Sequence, residues 1–249
     1  MRSTFKVFAA LLLLCAPLSA HQRGWYFSLG MGAGLMQAER SVKTEQTRAG
    51  SGHTATPTTT EMIYADADLF TARSSYLQAA YGHKFITGRW FFGFEAFLGW
   101  GDHTIPIEGK ETWGGSSHRD PADGRMIQSN LKRDANAGFV TFLGYCLGFT
   151  APYLKMGFEI GRFEHQWTEI GQISFTKTSY SKREIVPGFL VGGGFELGAG
   201  LATIRLDYSA TLSNIFEYDF EPVTDYKIYN KSRPLTHVAK LDIVYHFPY

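Results

Sequence analysis

From Trp90 to Trp100 every second residue is apolar (Trp90, Phe92, Phe94, Ala96, Leu98, Trp100), and Gly93, Glu95 and Gly99 stand between them. A repeat of two is the side-chain period of a β-strand, so such a segment has one apolar face and one face of glycine and charge. What constrains the fold is that the pattern occurs eight times. It opens at Trp25, Phe27, Leu29, Met31, Ala33 and Leu35 and recurs in Leu77, Ala79 and Tyr81. It then appears in 139–147, 154–160, 189–197 and 202–210, and closes at Ala239, Leu241, Ile243, Tyr245, Phe247 and Tyr249. Each segment offers the roughly 9 to 11 residues that a tilted strand needs to cross a bilayer. No apolar run after the N-terminus approaches the ~20 residues of a membrane helix.

The connections alternate in length. Residues 38–75, 102–136, 166–184 and 213–236 are long, polar and rich in turn formers, and are expected to be loops. Between them lie tight joints around Thr87-Gly88, Thr150-Ala151 and Ala199-Gly200. Two-residue turns there pair Lys84 with Phe91, Gly148 with Tyr153, and Glu196 with Thr203, which keeps one set of faces in phase across each hairpin. The expected fold is all-β: an eight-stranded antiparallel up-and-down transmembrane β-barrel with short periplasmic turns, long extracellular loops and both mature termini in the periplasm.

The charges decide which face meets lipid. Glu95, Lys155, Glu159, Glu196, Arg205, Asp207, Lys240 and Asp242 all share the face opposite the apolar one. A soluble barrel of lipocalin type would have to pack Trp90, Phe92, Phe94, Phe158, Phe195, Leu206 and Tyr245 inside eight strands. That overfills an interior wide enough only for side chains or one small ligand. Turned outward, the same residues meet lipid, and Gly30, Gly32, Gly34, Gly192 and Gly194 leave room inside for the charges. Trp25, Trp90, Trp100 and Tyr249 then fall near the membrane–water interfaces.

Residues 1–20 read as a secretory signal, with Arg2 and Lys6 at the positive end, an apolar core from Val7 to Cys15, and Ala20 before the cut. The barrel domain is expected over 21–249. Without the signal, 24 basic residues fall to 22 against 23 acidic ones, a balance that implies no nucleic-acid partner. The mature chain keeps one cysteine, Cys146, which excludes an internal disulfide and reads as a small packing residue.

The opening strand Gly24-Trp25-Tyr26-Phe27-Ser28-Leu29-Gly30 and the closing strand Leu241-Asp242-Ile243-Val244-Tyr245-His246-Phe247-Pro248-Tyr249 resemble the small outer-membrane β-barrel family. That group holds the OmpA-type transmembrane domain and the opacity-type surface proteins. The resemblance implies an assembly signal for the barrel-assembly machinery in Tyr245, Phe247 and Tyr249. Tyr stands last where Phe is commonest in the family, and Pro248 beside it is unusual.

For function, the inward charges are expected to form an ion-pair network that fills the lumen, with a gated narrow channel as the alternative. The histidines and hydroxyls that catalysis would draw on, such as His103, His118, His165 and Ser209, are scattered, so no enzyme activity, cofactor or metal site is expected. Recognition is therefore sought on the loops. Phe216, Tyr218 and Phe220, alternating with Glu217, Asp219 and Glu221, are expected to continue the phase of the preceding strand. They read either as a hairpin lying over lipopolysaccharide or as a contact for a host or envelope protein. Outer-membrane lipid is the remaining expected partner.

Overall fold

A strand exposes a row of unpaired donors and acceptors on each edge, and a sheet removes that liability only by closing. The computed structural model describes residues 23–47, 57–60, 70–110, 126–170, 177–199, 202–223 and 226–247. The described strands are β1 (Gly24–Thr47), β2 (Pro57–Thr60), β3 (Phe70–Thr87), β4 (Trp90–Lys110), β5 (Met126–Tyr145), β6 (Thr150–Ile170), β7 (Lys177–Ala199), β8 (Ala202–Ser213), β9 (Phe216–Val223) and β10 (Tyr226–His246). They form one sheet in the order β2-β1-β3-β4-β5-β6-β7-β8-β10-β9, and β1 also pairs with β10. All pairings are antiparallel, and β1, β3 to β8 and β10 close an eight-stranded barrel. The short β2 and β9 pair only with the far ends of β1 and β10. Among the described residues no helix is long and apolar enough to cross a membrane.

The stagger follows from the register. From Gly101 on β4 the pairing runs through Tyr76, Gly32, Lys240, Asp207, Gly194, Tyr153 and Gly144 to Phe91, back on β4 ten residues from its start. With eight strands, a shear of this size tilts each strand roughly 40° from the barrel axis.

The faces follow the alternation. Trp25, Phe27, Leu29, Met31, Leu77, Tyr81, Phe92, Leu98, Phe158, Phe195, Leu206 and Ile243 point outward and are exposed. Their neighbours along each strand point into the barrel. Small inward residues let this interior fill: a Cβ on Gly30 would lie 1.7 Å from Asp242 Oδ1, and one on Gly99 would lie 2.0 Å from the Tyr76 hydroxyl.

Three expectations about connections need correction. The tight turns lie one or two residues away from the expected joints. Gly88 and Gly148 have φ of 62° and 67°, a left-handed conformation that glycine adopts freely, and they fix the turns as Gly88-Arg89 and Gly148-Phe149. Lys84 therefore pairs with Gly93, Tyr153 with Gly144, and Glu196 with Arg205. Each register moves by an even number of residues, so every inward and outward assignment survives.

Second, much of the expected loop sequence is strand. β1 runs to Thr47, β4 to Lys110 and β6 to Ile170, so the barrel wall continues as tall hairpins beyond the apolar band. The apolar pattern stops where lipid contact would stop, whereas backbone pairing has no reason to. Third, the register of β10 shifts by one residue between Leu212 of β8 and Phe216 of β9. Phe216, Tyr218 and Phe220 pair with Ser232, Asn230 and Ile228, and in the backbone register they do not continue the phase of β8. Their side chains, residues 1–22 and Tyr249 lie outside the described residues.

Among the described residues, three apolar clusters lie inside the wall. Tyr26, Phe91, Phe142, Ala151, Tyr153 and Val244 pack near the tight-turn end, with Ile86 and Cys146 against them. Ala80, Phe97, Val140 and Leu190 form a small middle group. Towards the hairpin end, Met36, Ala38, Ala72, Ile105, Leu131, Phe163 and Val186 come together from six strands, β1 and β3 to β7.

Candidate functional site

Between these clusters the lumen is charged. Lys84, Arg133, Lys155, Arg205 and Lys240 face Glu95, Glu159, Glu196, Asp207 and Asp242, five cations against five anions among the described buried residues. Burying ten unpaired charges would be prohibitive, so the arrangement has to be judged by its pairing.

Pairing reaches across the barrel as well as along the wall. Arg205 on β8 donates from Nη1 to Glu95 on β4 at 2.6 Å and from Nη2 to Glu196 on β7 at 3.1 Å. Lys84 on β3 donates to the other oxygen of Glu196 at 2.5 Å. In the closed strand order β4 lies diametrically opposite β8, and β3 opposite β7. Two ion pairs therefore cross the full width of the lumen at one level. The Tyr26 hydroxyl adds a donor to Glu95 at 2.9 Å. Aromatic faces enclose the guanidinium: Arg205 Cζ lies 5.4 Å from the Tyr26 ring, 5.6 Å from Tyr153 and 5.8 Å from Phe142. A cation desolvated in this way is held by ring quadrupoles as well as by carboxylates.

A second group centres on Asp207. It accepts from Lys155 at 2.5 Å and from the Tyr153 hydroxyl, and Lys240 stands 3.9 Å away while bonding Asp242. A third group sits higher, towards the hairpins. Arg133 donates to Glu159 at 2.5 Å, Asn136 bonds the other Glu159 oxygen at 3.1 Å, and the Tyr76 hydroxyl donates to Asn136 at 3.2 Å. The structure thus brings all eight sequence-selected lumen charges into three connected groups.

It adds two members that the sequence reading did not select. Lys84 was detectable, because it lies on the inward phase of Gln78 and Gly82. Arg133 was not, because the register of β5 slips at Asp134: Arg133 and Asn136 both face inward although three positions separate them. Asp134 is the bulged residue, and its carboxyl is held below the usual range by hydrogen bonds from Arg162.

The described residues weighed for catalysis stand on separate strands. His103 on β4, His165 on β6 and Ser209 on β8 are buried and inward, and His118 lies outside the described residues. His103 Nδ1 lies 3.3 Å from the Gly101 carbonyl, and its ring covers Gly34, where a Cβ would lie 2.0 Å from Nε2. Burial, and then the Arg133 cation, hold its pKa at about 4. Among the described residues no group of three or more His, Cys, Asp or Glu side chains is placed to hold a metal ion. At the barrel seam, Tyr245 pairs with Phe27 and Ala202, and Phe247 N donates to the Trp25 carbonyl at 3.0 Å.

No family model and no curated protein matches the chain. Among solved structures, the outer membrane protease OmpT from Escherichia coli superposes with a TM-score of 0.48 at 9% identity, over 94% of this chain and 100% of that one. The outer membrane protein OprG from Pseudomonas aeruginosa gives 0.47 at 10% identity, over 93% and 100%. Ail, the attachment invasion locus protein of Yersinia pestis, gives 0.35 at 10% identity, over 87% and 99%. These likenesses assign the chain neither a family nor an activity.

Proposed function

We propose that this chain is an outer-membrane surface barrel in which the lumen is a structural plug and recognition is carried by the hairpins, an adhesin- or antigen-like role. The outward apolar stretch of β4 spans Trp90 to Trp100. At the rise of a tilted strand this gives a band of roughly 25 Å, the height that an outer-membrane barrel presents to lipid. In that anatomy the tight turns and both termini face the periplasm, the hairpins face outward, and Tyr245, Phe247 and Tyr249 carry the signal to the assembly machinery. No catalytic role and no cofactor is assigned.

The observation that carries the reading is the closure of the lumen by the Arg205–Glu95 and Lys84–Glu196 pairs. A bore crossed by two ion pairs leaves the outer hairpins as the accessible part of the molecule. The hairpins can be shortened at registered pairs without cutting into the inner cluster: Ala38 with Phe70, Ile107 with Ser129, Thr168 with Ser179, and Glu217 with Lys231. The shortened barrel is expected to fold and to lose binding to host cells, matrix proteins or envelope partners. If it keeps every binding phenotype of the full chain, the surface-recognition reading fails.

A further inference from the structure

Just beyond the apolar band, the outward face of β4 to β7 carries a ladder of charges. Lys132 lies 3.4 Å from Asp102, which also accepts from Thr104 at 2.9 Å. Arg162 grips Asp134 with Nε at 2.8 Å and Nη2 at 2.6 Å. Arg183 Nε donates to Glu164 at 3.0 Å, and Gln166 donates to the other Glu164 oxygen at 3.2 Å. At neutral pH both acids are ionised, since hydrogen bonds hold each below the usual carboxylate range.

The ladder is neutral in sum but not in what it presents. Arg162 and Arg183 are 55% and 70% exposed, whereas Asp134 and Glu164 are 28% and 12% exposed. The carboxylates brace the guanidiniums, which themselves stay largely exposed. Register places Arg162 opposite Ile185 and Glu164 opposite Arg183, so the two arginines are diagonal neighbours on one face. Diagonal positions lie about 7–8 Å apart, within reach of one phosphorylated headgroup for side chains of this length. Asp102, the acid that outreaches its cation, stands on β4, two strands from Arg162, and marks the edge of the patch.

Directly below, towards the tight turns, the same two strands present Phe158, Ile160, Ile185 and Phe189, all exposed. Paired guanidiniums above an apolar wall complement a molecule that joins phosphate to several acyl chains. A free phosphate would leave the wall uncovered, and a peptide would have to reach into the lipid band.

We propose that the outer face of β6 and β7 binds one phosphorylated, multiply acylated glycolipid of the outer leaflet, with its phosphates on Arg162 and Arg183 and its acyl chains against Phe158, Ile160, Ile185 and Phe189. This rests on the membrane-barrel reading above. Arginine suits the task because its planar fork can hold a carboxylate on one edge and a phosphate on another.

The test uses the full mature chain in phosphatidylcholine vesicles alone, or with diphosphoryl lipid A, dephosphorylated lipid A, phosphatidylglycerol or inorganic phosphate. The readouts are the thermal unfolding midpoint and the lipid retained in native mass spectrometry. Wild type is expected to gain stability and retain lipid only with diphosphoryl lipid A. The Arg162→Gln/Arg183→Gln variant should fold equally well and bind that lipid roughly tenfold more weakly, as expected for losing charge-assisted bonds at exposed sites. The Arg162→Lys/Arg183→Lys variant should recover part of the loss. Equal stabilisation of the glutamine variant, or of wild type by dephosphorylated lipid A, phosphatidylglycerol or phosphate, overturns the site. If wild type is protease-sensitive in every vesicle, the membrane-barrel reading itself falls and takes the proposal with it.

Discussion

Arg205 reaches Glu95 at 2.6 Å although their strands stand on opposite sides of the barrel. The two residues are 110 positions apart in the chain, so this contact exists only once the barrel has closed. Arg205 also bonds Glu196, and so links the two pairs that cross the lumen.

Replacing Arg205 with Met should destabilise the barrel by about 3–5 kcal/mol, because Glu95 and Glu196 would remain buried with a partner missing. Replacing both partners as Arg205→Met and Glu95→Gln should cost less than the single change, since Glu196 keeps Lys84 and no carboxylate is then left without a cation. Urea unfolding in detergent micelles or thin bilayers measures both. A double variant weaker than the single one would show that the pair matters for more than mutual neutralisation.

Glycines here act in two distinct ways, and alanine separates them. Nothing lies within 4 Å of a Cβ built on Gly88, whose φ is 62°. Gly88→Ala should therefore cost only the backbone term, about 1 kcal/mol, and Gly88→Asn less, since Asn tolerates the left-handed region. Gly30→Ala instead puts a methyl 1.7 Å from Asp242 Oδ1, and it should displace the Asp242 carboxylate from Lys240. Refolding yield and midpoint should drop more for Gly30→Ala than for Gly88→Ala. The opposite order would contradict the packing of the lumen.

The alternation made the wall of this barrel readable before any coordinates. Which face Glu95, Lys155, Asp207 or Lys240 takes depends only on period two, and an even error in a turn leaves it intact. What period two cannot carry is an odd slip. The slip at Asp134 hid Arg133, and the one between Leu212 and Phe216 removed Phe216, Tyr218 and Phe220 from the phase expected of them. Nor could alternation show that Arg205 would meet Glu95, because partners across the lumen depend on the shear of the closed sheet. The tall hairpins were missed for a related reason: the lipid pattern ends where the apolar band ends, and hydrogen bonding continues past it.

His103 lies beyond Trp100, outside the apolar band, and should make stability depend on pH. Its pKa is held at about 4 by burial and then by Arg133, against an ordinary 6.5. Between those two values the unfolded chain binds a proton that the folded chain refuses. This contribution is fully present above about pH 6.5 and is lost as pH falls towards 4, by up to roughly 3 kcal/mol. His103→Gln should flatten that decline while leaving stability near pH 7.5 within about 1 kcal/mol. An unchanged slope in the variant would remove His103 as its source.

The closing seam predicts a defect in assembly. Phe247 N donates to the Trp25 carbonyl at 3.0 Å, extending the β1–β10 pairing that completes the barrel. Deleting 247–249 removes that bond and two of the three alternating aromatic residues of the expected assembly signal. In cells, heat-modifiable, membrane-embedded protein should disappear. In vitro refolding into thin bilayers should suffer far less, because the remaining pairs from Tyr26–His246 to Gln46–Tyr226 stay in register. Normal insertion of the truncated chain in cells would sink the assembly-signal reading.

The last expectation concerns conduction, and it depends on two barriers in series. One is the charged layer where Arg205–Glu95 and Lys84–Glu196 cross the bore. The other lies towards the hairpins, where Met36, Ile105, Leu131 and Phe163 meet with almost no exposure. An ion passing the first would have to separate a buried pair, and passing the second would require shedding its hydration against apolar side chains, each costing several kcal/mol. Wild type in planar bilayers should therefore show no steady current. Replacing Lys84, Glu95, Glu196 and Arg205 with Ala should leave the bilayer silent, because the apolar layer remains, and so should Leu131→Ala/Phe163→Ala, because the ion pairs remain. Only the variant that combines both sets is expected to open small, steady conductance. Large, stable currents from wild type would refute the plug, and current from either set alone would show that one layer alone seals the lumen.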